Sequence, residues 1–156
     1  MTPKAIAFVC TGNTCRSPMA EMMLRHMLQK EGIQGIEVFS RGIGVWDPQP
    51  MSEEAKETLK AIGIEPTPHE SKTLTEEDLD KADWILVMTH HHRRIVLTNF
   101  PEAKEKVRLL TASEIDDPVG GSPKDFEKCR IDIQNALLEL LPKLKSEEGT
   151  RREKHP

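Results

Sequence analysis

The apolar run AIAFVC (Ala5–Cys10) stops at Thr11-Gly12-Asn13, and a helical pattern begins a few residues later at Ser17-Pro18. An apolar run with no polar alternation suits a strand covered on both faces, not the half-exposed strand of an antiparallel sheet. Ser17 can cap free helix amides and Pro18 suits a first helical position, so the expected order is buried strand, tight turn, helix. Such a strand needs helices on both sides of it.

The rest of the chain agrees. Met19, Met22, Met23 and Met27 recur at helical spacing toward Lys30, and Gly32 marks the exit. Ile36–Ser40, Asp83–Met88 and Lys106–Leu110 read as further strands. Helices are expected at about Ser52–Ile62, from Thr75 to Leu79, through HHHRRIVLTNF, and over Lys124–Leu144, where Pro142 predicts a bend in the last turn. Strands alternating with helices predict one α/β domain over residues 1–145, a four-stranded parallel sheet with helices on both faces, followed by a polar tail over 146–156 that frays. Ligands of such folds sit at the carboxyl ends of strands, near the point where strand order reverses. Cys10 ends the first strand.

Composition narrows the partners. A net charge of -4 without a basic stripe gives nucleic acid no electrostatic footprint. The apolar run before Thr11 is too short for a signal segment or a membrane span, so a cytoplasmic protein without a membrane partner is expected. Three cysteines make neither a disulfide scaffold nor a common zinc pattern, and reduced thiols suit the same compartment. His90, His91 and His92 would face different directions on a helix, so they are expected to be solvated, with room for one at a pocket edge. The expectation is a monomer with no metal and no cofactor.

The loop after Cys10 carries chemistry. A turn that leaves a buried strand and enters a helix can curl its amides inward as an anion cradle, reinforced by the helix N-terminus. Gly12 and Asn13 tolerate the tight conformations this needs. Arg16 can offer a planar fork of donors to phosphate oxygens. In that field Cys10 is expected to ionise and attack phosphorus, with Ser17 either donating to the sulfur or capping the helix. A general acid must then protonate the leaving group, and Asp116 and Asp117 are both candidates in the glycine-containing stretch IDDPVGG.

The segment VCTGNTCRSPMAE closely resembles the opening of the low-molecular-weight protein-tyrosine-phosphatase family, and the resemblance runs over roughly residues 4–145. It implies hydrolysis of phosphomonoesters through a cysteinyl-phosphate intermediate. Cys10 matches the nucleophile, Arg16 the phosphate clamp, and Asp117 the acid of the Asp-Pro loop. Thr11, Gly12, Asn13, Thr14, Cys15 and Ser17 match the phosphate-binding loop, and His69 matches a histidine that supports the loop asparagine. Thr14 stands where tyrosine-phosphate enzymes commonly carry isoleucine, and it matches the branch acting on phosphoarginine in proteins. Val119 departs from that branch, which often has phenylalanine there. Phosphorylated proteins are therefore the expected partners and inorganic phosphate the product, with phosphotyrosine hydrolysis as the alternative. Arsenate reduction and non-catalytic phosphoprotein binding are the remaining readings. Cys15, in the same curled loop as Cys10, is a candidate redox partner that would protect the nucleophile as a disulfide.

Overall fold

The computed structural model describes residues 2–154, with side chains to Lys145. Strands β1 (Ala5–Cys10), β2 (Glu37–Gly42), β3 (Trp84–Val87) and β4 (Val107–Leu109) form one parallel sheet in the order β2-β1-β3-β4. Between and after them run α1 (Arg16–Lys30), α2 (Glu53–Lys60), α3 (Glu76–Lys81), α4 (His90–Asn99) and α5 (Pro123–Lys154).

β1 is buried along its whole length because it divides two cores. Ile6, Phe8 and Cys10 join Met19, Met23 and Leu24 of α1 and Phe126, Ile133 and Leu137 of α5. Ala5, Ala7 and Val9 join Leu79 of α3 and Val96 of α4. Alternate side chains of a strand point to opposite faces, so a strand covered on both sides must be apolar at every position. That explains the uninterrupted run in the sequence.

β1 connects through α1 to β2 on one side and lies against β3 on the other. The strand order therefore reverses at the carboxyl end of β1, where the exits of β1 and β3 meet. The site is expected at this crevice.

Of the boundaries that differ from expectation, three have a clear physical cause. β2 runs on to Gly42 although Arg41 and Gly42 are not strand formers, because pairing continues to Cys10↔Gly42. A Cβ on Gly42 would lie 2.7 Å from the Thr11 carbonyl oxygen and 3.1 Å from Asn13 Cβ, so only glycine lets the loop after β1 come this close. The last helix passes both Pro142 and the end expected at Leu144, and its backbone stays helical to Lys154. The amide Pro142 lacks would have served the carbonyl of Leu138, which is solvent-exposed, while Leu137, Leu141 and Leu144 stay buried and hold the turn. The tail expected over 146–156 thus begins as helix, and residues 155–156 lie outside the described residues.

The third difference concerns α1. It starts at Arg16 with Cys15 as its N-cap, so Ser17 and Pro18 lie within the first turn and Ser17 caps nothing. The Ser17 hydroxyl is engaged elsewhere, and no side chain caps the helix. Its positive end is left to a ligand.

Candidate active site

The loop between β1 and α1 turns on Asn13, whose φ of 57° is left-handed. The positive φ thus falls on Asn13 and not on the adjacent Gly12. A non-glycine residue holds this conformation at a cost, here offset by the four hydrogen bonds Asn13 makes. Its Nδ2 donates to Ser17 Oγ at 2.8 Å and Ser40 Oγ at 3.0 Å, and its Oδ1 accepts from the Lys72 amide at 3.0 Å. His69 Nε2–H donates to the Asn13 carbonyl at 2.7 Å. The Thr14 carbonyl accepts from the Ser52 amide at 3.0 Å, which ties the far side of the loop to the start of α2. Thr14 itself is half-buried on the loop.

Cys10 is 3% exposed, and its Sγ lies 2.9 Å from Ser17 Oγ. Ser17 has one proton to give, since Asn13 already fills an acceptor position on its oxygen. Of its two candidate acceptors, the sulfur is nearer than the Arg41 carbonyl at 3.4 Å. The geometry therefore lets Ser17 donate to the sulfur.

Behind this contact runs a directed chain. Ser40 Oγ donates to Glu21 Oε1 at 2.6 Å, and Glu21 pairs with Arg25 at 2.6 Å. With Asn13 donating to both serines, the chain from Arg25 to Cys10 Sγ has each polar atom placed. Such a satisfied buried network rigidifies what it touches.

Arg16 is 4% exposed, a buried cation held from two directions. Its Nη1 donates to the Ile115 carbonyl at 2.9 Å, and its Nη2 reaches Thr11 Oγ1 at 3.4 Å and Asp117 Oδ2 at 3.6 Å. Its Nε is a buried donor without a partner among the described residues. Orphaned buried donors are uncommon, and one on a guanidinium beside an uncapped helix end fits a bound oxyanion.

Asp117, and not Asp116, faces this cation. The Asp117 Oδ1 accepts from the Val119 amide at 3.0 Å, which orients the carboxylate over the loop, while Asp116 is exposed beside Lys128 and Asp132. Val119 is itself exposed. Arg41 pairs with Asp78 at 2.9 Å and lies over the Phe39 ring.

The other two cysteines are protonated thiols at neutral pH. Burial pushes the Cys15 thiol up, against the opposing contact with Ser52 Oγ at 3.2 Å. Cys129, on the buried side of α5, is pushed up to about 12, chiefly by burial. The histidine run also divides. His90 and His91 are exposed as expected, whereas His92 is 1% exposed with Nε2 2.8 Å from Thr11 Oγ1. Solvation does not describe His92, because the first turn of α4 points it at the neighbouring strand exit. His92 is thus the histidine of the run that stands at the pocket edge, whereas Ser40 and Glu21 escaped the sequence reading.

Comparison with known proteins agrees with this geometry. The chain is 38% identical over 152 residues to the protein-arginine-phosphatase of Geobacillus stearothermophilus, covering 94% of this chain and 99% of that protein. It is 33% identical over 146 residues to the probable low molecular weight protein-tyrosine-phosphatase EpsP of Ralstonia solanacearum, covering 92% and 97%. A Cys-to-Ser mutant of YwlE arginine phosphatase with a phosphorylated active site serine superposes with a TM-score of 0.85 at 35% identity, covering 90% and 95%. The low molecular weight phosphotyrosine protein phosphatase model matches residues 5–150, and with the parallel sheet, the Cys10–Arg16 loop and the Asp117-Pro118 segment in place, the chain belongs to that family.

Proposed function

We propose that the chain hydrolyses phosphoarginine residues in proteins, with residues 1–145 as the catalytic domain. The single observation that carries the chemistry is the buried Arg16, its Nε unpaired, on the same short loop as Cys10. The phosphoryl group sits between the loop amides of residues 11–16 and the guanidinium. Cys10 Sγ attacks phosphorus, the P–N bond breaks, and Asp117 gives its proton to the departing guanidine nitrogen. Water then attacks the cysteinyl phosphate, Asp117 takes its proton, and inorganic phosphate leaves with the thiolate restored. Ser17 supports that thiolate by donating to it.

The choice of substrate rests on Thr14 and on what surrounds it. A phenyl phosphate needs apolar or aromatic walls along its length. Here Thr14 offers a hydroxyl, and the residue after Asp117-Pro118 is valine. The likeness to protein-arginine-phosphatases along nearly their whole length supports the same choice. The test is kcat/KM on a phosphoarginine peptide and a phosphotyrosine peptide, for wild type and Thr14→Ile. Wild type is expected to prefer phosphoarginine, and the substitution to move the ratio toward phosphotyrosine by about 10- to 100-fold, the worth of one pocket contact. Equal or better use of phosphotyrosine by wild type would assign the chain to tyrosine-phosphate hydrolysis instead.

Arsenate reduction needs an outward thiol relay. Cys129 is 4% exposed with its thiol pushed up to about 12, which opposes that reading. Cys15 has a different use. After a peroxide converts Cys10 to its sulfenic acid, the Cys15 thiol displaces water to form a disulfide. Because burial raises the Cys15 thiol, its thiolate fraction grows with pH, and linkage is expected to accelerate up to about tenfold per pH unit above neutrality. Intact-mass measurement after mild peroxide reads it. Direct conversion of Cys10 to the sulfonic acid, with no Cys10–Cys15 linkage, would remove Cys15 from this role.

Among the described residues no helix is long and apolar enough to cross a membrane. Three unpaired thiols suit a reducing compartment, and we assign the enzyme to the cytoplasm as a monomer, which fractionation and light scattering would check.

A further inference from the structure

His92 belongs to no motif quoted above for catalysis, yet it is buried at the crevice where the exits of β1 and β3 meet. It lies in the first turn of α4, where its amide donates to Thr89 Oγ1 at 3.1 Å, and that cap aims the ring at the loop after β1. Its Nε2 stands 2.8 Å from Thr11 Oγ1, and Thr11 Oγ1 stands 3.4 Å from Arg16 Nη2. The other Arg16 contact also traces to the exit of β3. Nη1 donates to the Ile115 carbonyl, and the Ile115 amide donates to the Met88 carbonyl at 2.9 Å. Both ends of the guanidinium fork are thus held by segments hydrogen-bonded to the residues that leave β3.

The proton inventory is consistent with one direction for this chain, which the proposal adopts. A guanidinium only donates, so the Thr11 oxygen accepts from Arg16 and has its own proton to pass on. His92 Nε2 can receive it only if the ring proton is on Nδ1. Nδ1 has no partner among the described residues, which makes it the atom left with the cost of this arrangement. We propose that His92 is a positioning residue for Arg16: its bare Nε2 takes the Thr11 hydroxyl proton and so turns the Thr11 oxygen toward the guanidinium. The environment agrees, since burial and then the charge of Arg16 hold His92 neutral, down to about 4. A protonated ring would reverse the bond to Thr11 and set a second cation beside the clamp.

This inference rests on the reading of the loop as a phosphate seat, so its experiment uses inorganic phosphate as well as turnover. Phosphate affinity by calorimetry and kcat on a phosphoarginine peptide are measured for wild type, His92→Leu, His92→Gln, Thr11→Val and the His92→Leu/Thr11→Val double variant, with melting curves on each. His92→Leu is expected to weaken phosphate binding and lower kcat by about tenfold without a fall in melting temperature, the scale of one aligned hydrogen bond. The double variant should lose no more than either single one, because both break the same chain. Glutamine can present an acceptor oxygen near the position of Nε2, so His92→Gln is expected to recover most of the loss. Nitrogen NMR of the ring should show the proton on Nδ1. His92→Leu within twofold of wild type, losses that multiply in the double variant, or a proton on Nε2 would each overturn the positioning role alone. Wild type that binds no phosphate would overturn the loop reading beneath it.

Discussion

Cys10→Ser is expected to abolish turnover, lowering kcat by about 10^4-fold or more, as loss of a covalent nucleophile does in enzymes of this kind. A serine hydroxyl does not ionise near neutral pH, and the support built at this position suits a sulfur anion. Ser17 donates toward Cys10 Sγ at 2.9 Å and is itself held by Asn13, which is held by Lys72, Ser40 and Glu21 in turn. The bonds that join Asn13 to Ser17, Ser40 and Lys72 do not depend on the identity of residue 10, so the phosphate seat should persist. The measurement therefore has two arms, turnover of a phosphoarginine peptide and affinity for inorganic phosphate. Phosphate should bind to the serine variant with little change while hydrolysis vanishes. Hydrolysis within tenfold of wild type would exclude a cysteinyl-phosphate intermediate, and loss of both readouts together would point to a collapsed loop.

Arg16→Lys is expected to lower kcat/KM by about 10^3-fold, although the charge is kept. The guanidinium uses Nη1 on the Ile115 carbonyl and Nη2 on Thr11, and still has Nε for the phosphate. An ammonium is a single point of charge that cannot serve three directions from one planar frame. Losing two charge-assisted hydrogen bonds in a buried site costs roughly 3–5 kcal/mol, which spans this factor. The ion pair with Asp117 at 3.6 Å adds little to the sum, because that carboxylate is half exposed and screened. If the lysine variant retained a tenth of wild-type activity, the fork geometry would not matter and charge alone would suffice.

The strand-loop-helix unit was legible because its causes are local. The run before Thr11 is apolar at every position, the turn contains Gly12 and Asn13, and Pro18 stands near the start of a helix. Cys10, Arg16 and Asp117 were identifiable as candidates by residue type, spacing and resemblance. Choosing between Asp116 and Asp117 on residues alone was not possible, since both lie in the same turn and only the packed loop turns one toward Arg16. Ser17 was ambiguous for a related reason. A cap is a local option available to any serine before a helix, whereas donation to Cys10 Sγ exists only once β1 and α1 are packed.

Alone, the sequence determined the layers of the fold, marked the end of β1 as the candidate site and, through the family resemblance, indicated the reaction class, because hydrophobic period, turn chemistry and a cysteine-arginine loop each act over a few residues. Only the tertiary structure decided what holds that loop in shape. Ser40, Ser52, His92 and the loop that carries His69 and Lys72 are four separate segments, and they meet the phosphate loop through hydrogen bonds that carry no periodicity along the chain. The resemblance supplied His69, and the histidine run left room for His92, but no local pattern gave these contacts, because the sheet order β2-β1-β3-β4 is what brings those segments to one crevice.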